Sequence, residues 1–137
     1  MLDDLIYKLL KDIGLEKKPQ KMDPLGYQID FTADLSITLR ANDPGYYMQM
    51  LLGQAPEQEA EVLFLTLMEA NLLGQGTGGG LLGLSLEGNL LVYSKKILQD
   101  LNYEAFREKI EEFINYGEFW RMEIKKSSGE KKRSENA

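Results

Sequence analysis

Apolar residues Leu2, Leu5, Ile6, Leu9, Leu10 and Ile13 recur at three- and four-residue spacing, which predicts an amphipathic helix with one apolar stripe. Asp3 and Asp4 near its start and Lys11 near its end suit the helix dipole, and Gly14 predicts its end. Residues 16–24, with Lys17, Lys18, Pro19, Lys21 and Pro24, read as a loop. Residues 27–31, 35–39 and 46–51 then alternate apolar with polar, separated by turn residues at Ala33-Asp34 and Asn42-Asp43-Pro44-Gly45. That pattern predicts a three-stranded antiparallel meander with one buried face.

A second helix is predicted from Pro56 to about Leu73, with Glu57, Glu59 and Glu61 in its first turns. Its apolar residues, among them Val62, Leu63, Leu65, Leu67, Met68 and Leu72, point nearly all round. A helix apolar on every side must be buried on every side, and a chain this short covers only one of them. The uncovered side predicts a homodimer, with a second copy meeting it across a two-fold axis. Past the glycine-rich stretch 74–80, residues 81–86 and 90–93, joined at Glu87-Gly88-Asn89, predict a β-hairpin. A third helix is predicted from Asn102, a good N-cap, with Phe106, Ile110, Phe113 and Ile114 on one face, loosening at Gly117 before Trp120. Helix, meander, helix, hairpin and helix in that order define an α+β fold.

A length of 137 residues suits one domain, expected over residues 1–124. The remainder, 125–137, has no apolar residue but its terminal alanine and is predicted to be a disordered basic tail. Charge is uneven: the net value is −6, yet residues 1–124 hold 11 of the 16 basic and 20 of the 22 acidic residues, a net −9. Such a body repels nucleic acid and anionic lipid, so a basic or amphipathic protein is the expected partner. The acids at Asp3 and Asp4 stand where a secretory signal carries positive charge, and no apolar run reaches spanning length. A cytoplasmic protein without membrane insertion is therefore expected. Cysteine is absent, which removes disulfides and thiol chemistry.

Histidine is absent too, so neither a Ser-His-Asp nor a Cys-His arrangement can form, and no enzyme activity, metal or cofactor is expected. The carboxylate pairs Asp3-Asp4 and Glu111-Glu112 lie on polar helix sides, where a solvated face rather than acid–base work is expected. Residues 74–79, Gly-Gln-Gly-Thr-Gly-Gly, match the dinucleotide fingerprint in form only. That fingerprint needs a strand before it and a helix after it, whereas here the order is reversed. A sharp turn packed closely beneath the preceding helix is the alternative use of these glycines. The basic cluster Lys125-Lys126 with Lys131-Lys132-Arg133 has no interleaved aromatic and suits solubility. The stripe of the first helix and the apolar face of the meander either bind a partner or close the core, and the pattern permits both.

Residues 63–93, LFLTLMEANLLGQGTGGGLLGLSLEGNLLVY, with NYEAFREKIEEFINYGEFWR at 102–121, resemble the Tir-chaperone (CesT/SycE-like) family of class I type III secretion chaperones. Ala70-Asn71-Leu72-Leu73 running into the glycine turn, the Leu-Gly-Leu hairpin, and Tyr103, Phe106, Phe113 and Trp120 carry the resemblance. It implies a homodimer that binds the N-terminal chaperone-binding segment of a secreted effector and keeps it extended and soluble. It further implies delivery to the secretion ATPase or sorting platform without ATP hydrolysis. Carried onto this chain, it implies effector contacts at Leu2, Leu5, Ile6 and Leu9 with Tyr27, Ile29, Ile37, Leu39, Met48 and Met50. The dimer contact is implied at Leu65, Met68 and Leu72, with Leu82, Leu84, Val92 and Tyr93 of the hairpin. Met48 and Met50 suit either an adaptable surface or core filling. The basic tail departs from the acidic habit of the family. The competing reading is a dimeric α/β adaptor, unrelated to secretion, that holds a folded partner on the same patches.

Overall fold

A computed structural model describes residues 2–15, 18–24, 26–42, 44–57, 60–85 and 89–135, position 73 and residues 127–135 as backbone alone. In chain order the elements are helix α1 (Leu2–Asp12), strands β1 (Gln20–Asp23), β2 (Gly26–Asp30), β3 (Ser36–Ala41) and β4 (Tyr46–Gln54), helix α2 (Glu61–Asn71), strands β5 (Leu81–Leu84) and β6 (Leu90–Ile97), and helix α3 (Tyr103–Glu135). The strands make one six-stranded sheet in the order β1-β2-β3-β4-β6-β5, an α+β fold as the sequence predicts. Two compact units divide the chain: Met1–Met50 with Ser94–Glu112, and Leu51–Tyr93 with Phe113–Ala137.

In the first unit β1 to β4 pair antiparallel in sequence order. Ile29 lies opposite Ile37, and Ile37 opposite Met50; Tyr27 lies opposite Leu39, and Leu39 opposite Met48. Paired residues project to the same side of a sheet, so these six form one apolar face, and none is more than 7% exposed. The other face presents Gln28, Thr38 and Gln49 in the same register. Leu2, Ile6, Leu9 and Leu10 of α1 and Phe106 and Ile110 of α3 are buried with the apolar face, and Phe106 meets Tyr46 edge-on at 5.4 Å between ring centres. Each fully buried side chain of this size contributes about 1.5–3 kcal/mol. Helix α3 begins where expected: the Asn102 side chain accepts the Ala105 N–H at 2.9 Å.

In the second unit Leu63, Leu67 and Ala70 of α2 are buried at spacings of four and three, together with Leu82 of β5 and Leu91, Val92 and Tyr93 of β6. From α3 come Phe113, Trp120 and Ile124. Tyr93 stacks on Phe113 at 4.6 Å and 14°.

Three elements differ from the expectation. Gln20–Asp23 is a strand, paired to β2 through Gln20–Gln28 and Lys21–Tyr27, so the meander has four strands. Lys, Gln and Asp give it no apolar alternation, and Pro19 and Pro24 merely bound it. Helix α2 starts at Glu61, preceded by Ala60, whose side chain makes no cap hydrogen bond; Pro56 and Glu57 lie in irregular chain. Gly117 does not loosen α3: it is buried within the stripe Phe106, Ile110, Phe113, Gly117, Trp120 and Ile124, a four-three repeat that keeps one face inward. The same helix continues through Glu135, across the stretch expected to be disordered, because Lys, Arg and Glu are good helix formers and Glu123 and Lys126 pair at 3.5 Å. The predicted hairpin turn falls partly on residues 86–88, outside the described residues.

Ile6 is fully buried, so Ile6→Asp places an unpaired carboxylate in the core at a cost of several kcal/mol, a large share of a stability of about 5–15 kcal/mol. Circular dichroism is expected to show an unfolded chain. A cooperatively folded variant with an unshifted urea midpoint would refute the placement of this stripe.

Candidate partner-binding surfaces

The sequence places effector contacts on α1 and the meander; the structure closes them into the core. Leu2, Ile6, Leu9, Tyr27, Ile29, Ile37, Leu39, Met48 and Met50 are each no more than 9% exposed. Of the expected set only Leu5 is half-buried, at the edge of a small pocket. The reason is that α1 and the start of α3 together cover the apolar face of the meander, leaving Met48 and Met50 as core filling. What the first unit does show to solvent includes Tyr7 and Ile13 on and after α1, Met22 on β1, Leu98 after β6, and the β1 edge, since β1 ends the strand order.

Leu82, Val92 and Tyr93, expected at a dimer contact, are likewise buried within the second unit. The other four expected residues are exposed: Leu65 at 59%, Met68 at 67%, Leu72 at 68% and Leu84 at 48%. Val62 and Leu81, at 76% and 62%, join them. Helix α2 thus carries two apolar stripes: Leu63, Leu67 and Ala70 turned inward, and Val62, Leu65 and Met68 turned to solvent, the latter continued by Leu72 just past its end. Strand β5 packs on α2, and the Asn71 side chain ties the two, accepting the Leu82 N–H at 2.7 Å and donating to the Leu82 carbonyl at 2.8 Å. β5 also ends the strand order, and an exposed apolar strand edge is a template for further association. The sequence foretold this face through the all-round apolar pattern of α2; Leu81 was missed because it sits in a run of leucines where period two is invisible.

The glycine stretch is a packed turn. After α2 a 3-10 turn, Leu72–Gly74, leads into it. A Cβ at Gly76 would lie 2.9 Å from the Cα and Cβ of Ala70, and one at Gly78, whose φ is +60°, would lie 2.5 Å from the Tyr116 ring. Trp120 donates its indole N–H to the Gly76 carbonyl at 2.9 Å, Tyr93 its hydroxyl to the Thr77 carbonyl at 2.5 Å, and Thr77 its hydroxyl to the Gly80 carbonyl at 2.7 Å. Of the residues carrying the family resemblance, Ala70, the glycines and Trp120 meet here for a structural reason. Tyr93, Tyr116 and Trp120 occupy the space beneath the turn. Among the described residues no cluster of three or more acids stands ready for a metal ion, and no helix is long and apolar enough to cross a membrane.

The geometry thus defines a chain that offers apolar helix and strand surface to another polypeptide. Residues 4–121 match the model of the Tir chaperone protein (CesT) family, and the chain belongs to that family. A Chlamydia pneumoniae protein is 35% identical over 69 residues, 50% of this chain and 52% of that protein; the match spans only about half of the relative's length. Among solved structures, the ExsC–ExsE complex superposes with a TM-score of 0.71 at 16% identity, covering 90% of this chain and 92% of that one. The ExoU–SpcU complex of the Pseudomonas aeruginosa type III secretion system gives 0.64 at 13%, covering 90% and 94%. YbjN from E. coli also gives 0.64 at 13%, covering 91% and 92%. At these identities the likeness is one of fold.

Two outcomes follow from the turn. Gly78→Ala is expected to cost about 1–3 kcal/mol through its left-handed backbone and the clash with Tyr116, read as a lowered urea midpoint; an unchanged midpoint contradicts the packing. Thermal unfolding is expected to be unaffected by ATP or NAD, and a clear rise with either would revive a nucleotide site.

Proposed function

We propose that this chain is a cytoplasmic chaperone that binds the N-terminal chaperone-binding segment of a type III secreted effector. It keeps that segment extended and soluble and hands it to the secretion apparatus, the ATPase or sorting platform being the receiver, without hydrolysing ATP. It acts as a homodimer and is no enzyme. The observation that carries this reading is the family match over residues 4–121, joined to an apolar surface presented without histidine or cysteine beside it. The structural neighbours ExsC–ExsE and ExoU–SpcU are complexes, the second from a type III secretion system, which supports a protein partner.

The α2 and β5 face suits the second copy. Val62, Leu65, Met68 and Leu72 form one stripe, and an isologous contact lays such a stripe against itself. The β1 edge with Met22, and Tyr7 on α1, suit the cargo, because an extended segment can add its backbone to an unpaired strand and place alternate side chains on the apolar residues beside it. The segment gains there the apolar contacts it cannot make alone, so its ordering and its protection from aggregation are one event.

Met68→Asp, at a residue 67% exposed in the single chain, is expected to leave the fold intact while weakening self-association by about 3 kcal/mol, roughly a hundredfold. Sedimentation equilibrium reads this directly; an unchanged mass would remove α2 from the interface. Co-purification with the N-terminal residues of candidate secreted proteins, followed by light scattering, is expected to return two copies of this chain with one protease-protected segment. Retention of a folded partner and of no extended segment would turn the reading to the adaptor.

A further inference from the structure

The inward stripe of α3 leaves an opposite one in solvent: Glu108, Glu111, Asn115, Phe119, Met122 and Lys126, again at spacings of three and four, are all exposed. Charge changes sign along this helix. Residues 103–118 hold five acids and two bases, whereas residues 119–135 hold six bases and three acids. The helix dipole does not account for that, since its effect is confined to the first and last turns and Glu108, Glu111 and Lys126 stand inside them. Glu111 pairs with Arg107 at 3.2 Å and Lys126 with Glu123 at 3.5 Å, both in the open, where such pairs contribute little. Between the charged ends the stripe is apolar, with Phe119 54% and Met122 51% exposed. Beside Phe119 opens a pocket of about 300 Å³, lined among the described residues by Gly76, Asn115, Tyr116 and Phe119, with no charged side chain.

From this arrangement we infer that the outer stripe of α3 docks antiparallel on the same stripe of a second copy, Met122 of each entering the pocket beside Phe119 of the other. Reversed end to end, the stripe is its own complement, as an isologous contact requires. Setting Glu111 against Lys126 of the second copy also sets Met122 against its Asn115, with the two-fold axis beside Glu118 and Phe119. One register therefore matches the charges and seats the apolar side chain together. A parallel alignment would instead lay acid on acid and base on base. Methionine is unbranched and adapts to an open pocket, and its sulfur makes favourable contacts with aromatic rings such as Tyr116 and Phe119. The basic end of α3 thus finds its counterpart in the acidic start of the same helix. Exposed ion pairs and one inserted side chain per copy make a weak contact, formed when copies are concentrated and salt is low. It is separate from the α2 and β5 face and goes beyond the proposed function: with both contacts dimers join one another, and with this one alone single chains pair.

The test is sedimentation equilibrium of the full chain, with and without Met68→Asp, at about 0.01 M and about 0.15 M salt, where charges are screened over about 30 Å and about 8 Å. For both chains the mass at low salt is expected to be at least double that at high salt. A net charge of −6 acting alone gives the reverse, driving copies apart as salt falls. Glu111→Lys and Lys126→Glu are each expected to weaken the low-salt step about tenfold or more, since both facing pairs become like charges. The chain carrying both changes exchanges the members of each pair and is expected to recover the step. Net charge again opposes this order: one acid replaced by one base takes −6 to −4 in Glu111→Lys, and the converse gives −8 in Lys126→Glu. Met122→Ser, at a half-exposed residue, is expected to weaken the step about tenfold while leaving the circular dichroism spectrum unchanged. No doubling at low salt, a stronger step with Glu111→Lys, or no recovery in the double variant would each overturn the docking. A low-salt step in a chain whose mass at high salt ignores Met68→Asp would leave the docking standing and remove the α2 contact instead.

Discussion

One helix with two apolar stripes governs what this chain can be. Helix α2 spends Leu63, Leu67 and Ala70 on the core of its own unit and still displays Val62, Leu65 and Met68, with Leu72 just past its end. Among the described residues nothing is laid over that second stripe, and β5 beside it ends the sheet with Leu81 and Leu84 outward. Exposed apolar surface concentrated on one helix and one strand edge is, in general, the kind that interaction sites use. The family membership and the surface agree in kind.

The first unit solves the opposite problem. There the amphipathic helix α1 and the alternating strands of the meander satisfy one another, with Phe106 and Ile110 of α3 completing the cover. What remains for a partner is peripheral: the β1 edge and a few exposed side chains. In general, a segment that pairs with a free strand edge takes affinity from backbone hydrogen bonds and specificity from the pockets that receive its alternate side chains.

Periodicity made much of this legible. The stripe of α1, the three alternating strands, the hairpin and Asn102 as an N-cap all stand where the pattern puts them, because each is encoded by residues close together in the chain. The dinucleotide-like glycines were separable from a true phosphate loop by the order of elements alone, and Ala70 and Tyr116 explain why the turn needs them at 76 and 78. Illegible was anything decided by distant segments. Alternation at Ile29, Ile37 and Met50 announces a buried face but not its cover, so core residues passed for a binding surface. β1 has no apolar code at all and exists by pairing with β2. Gly117 reads as a breaker in isolation and as a small residue in a stripe once Phe113 and Trp120 are seen to flank it. The small pocket beside Leu5 joins residues 2, 24, 46 and 100, which no local pattern connects.

The hydrogen bond from Trp120 to the Gly76 carbonyl has a spectroscopic meaning. The chain has a single tryptophan, and it is buried in the second unit against the glycine turn, so the intrinsic emission of the protein is a built-in reporter of that turn alone. Tyrosine absorbance samples both units, since Tyr27 and Tyr46 are buried in the first and Tyr93 in the second. Comparing tryptophan emission with far-ultraviolet circular dichroism therefore tells whether the turn melts together with the rest of the chain, without any added dye.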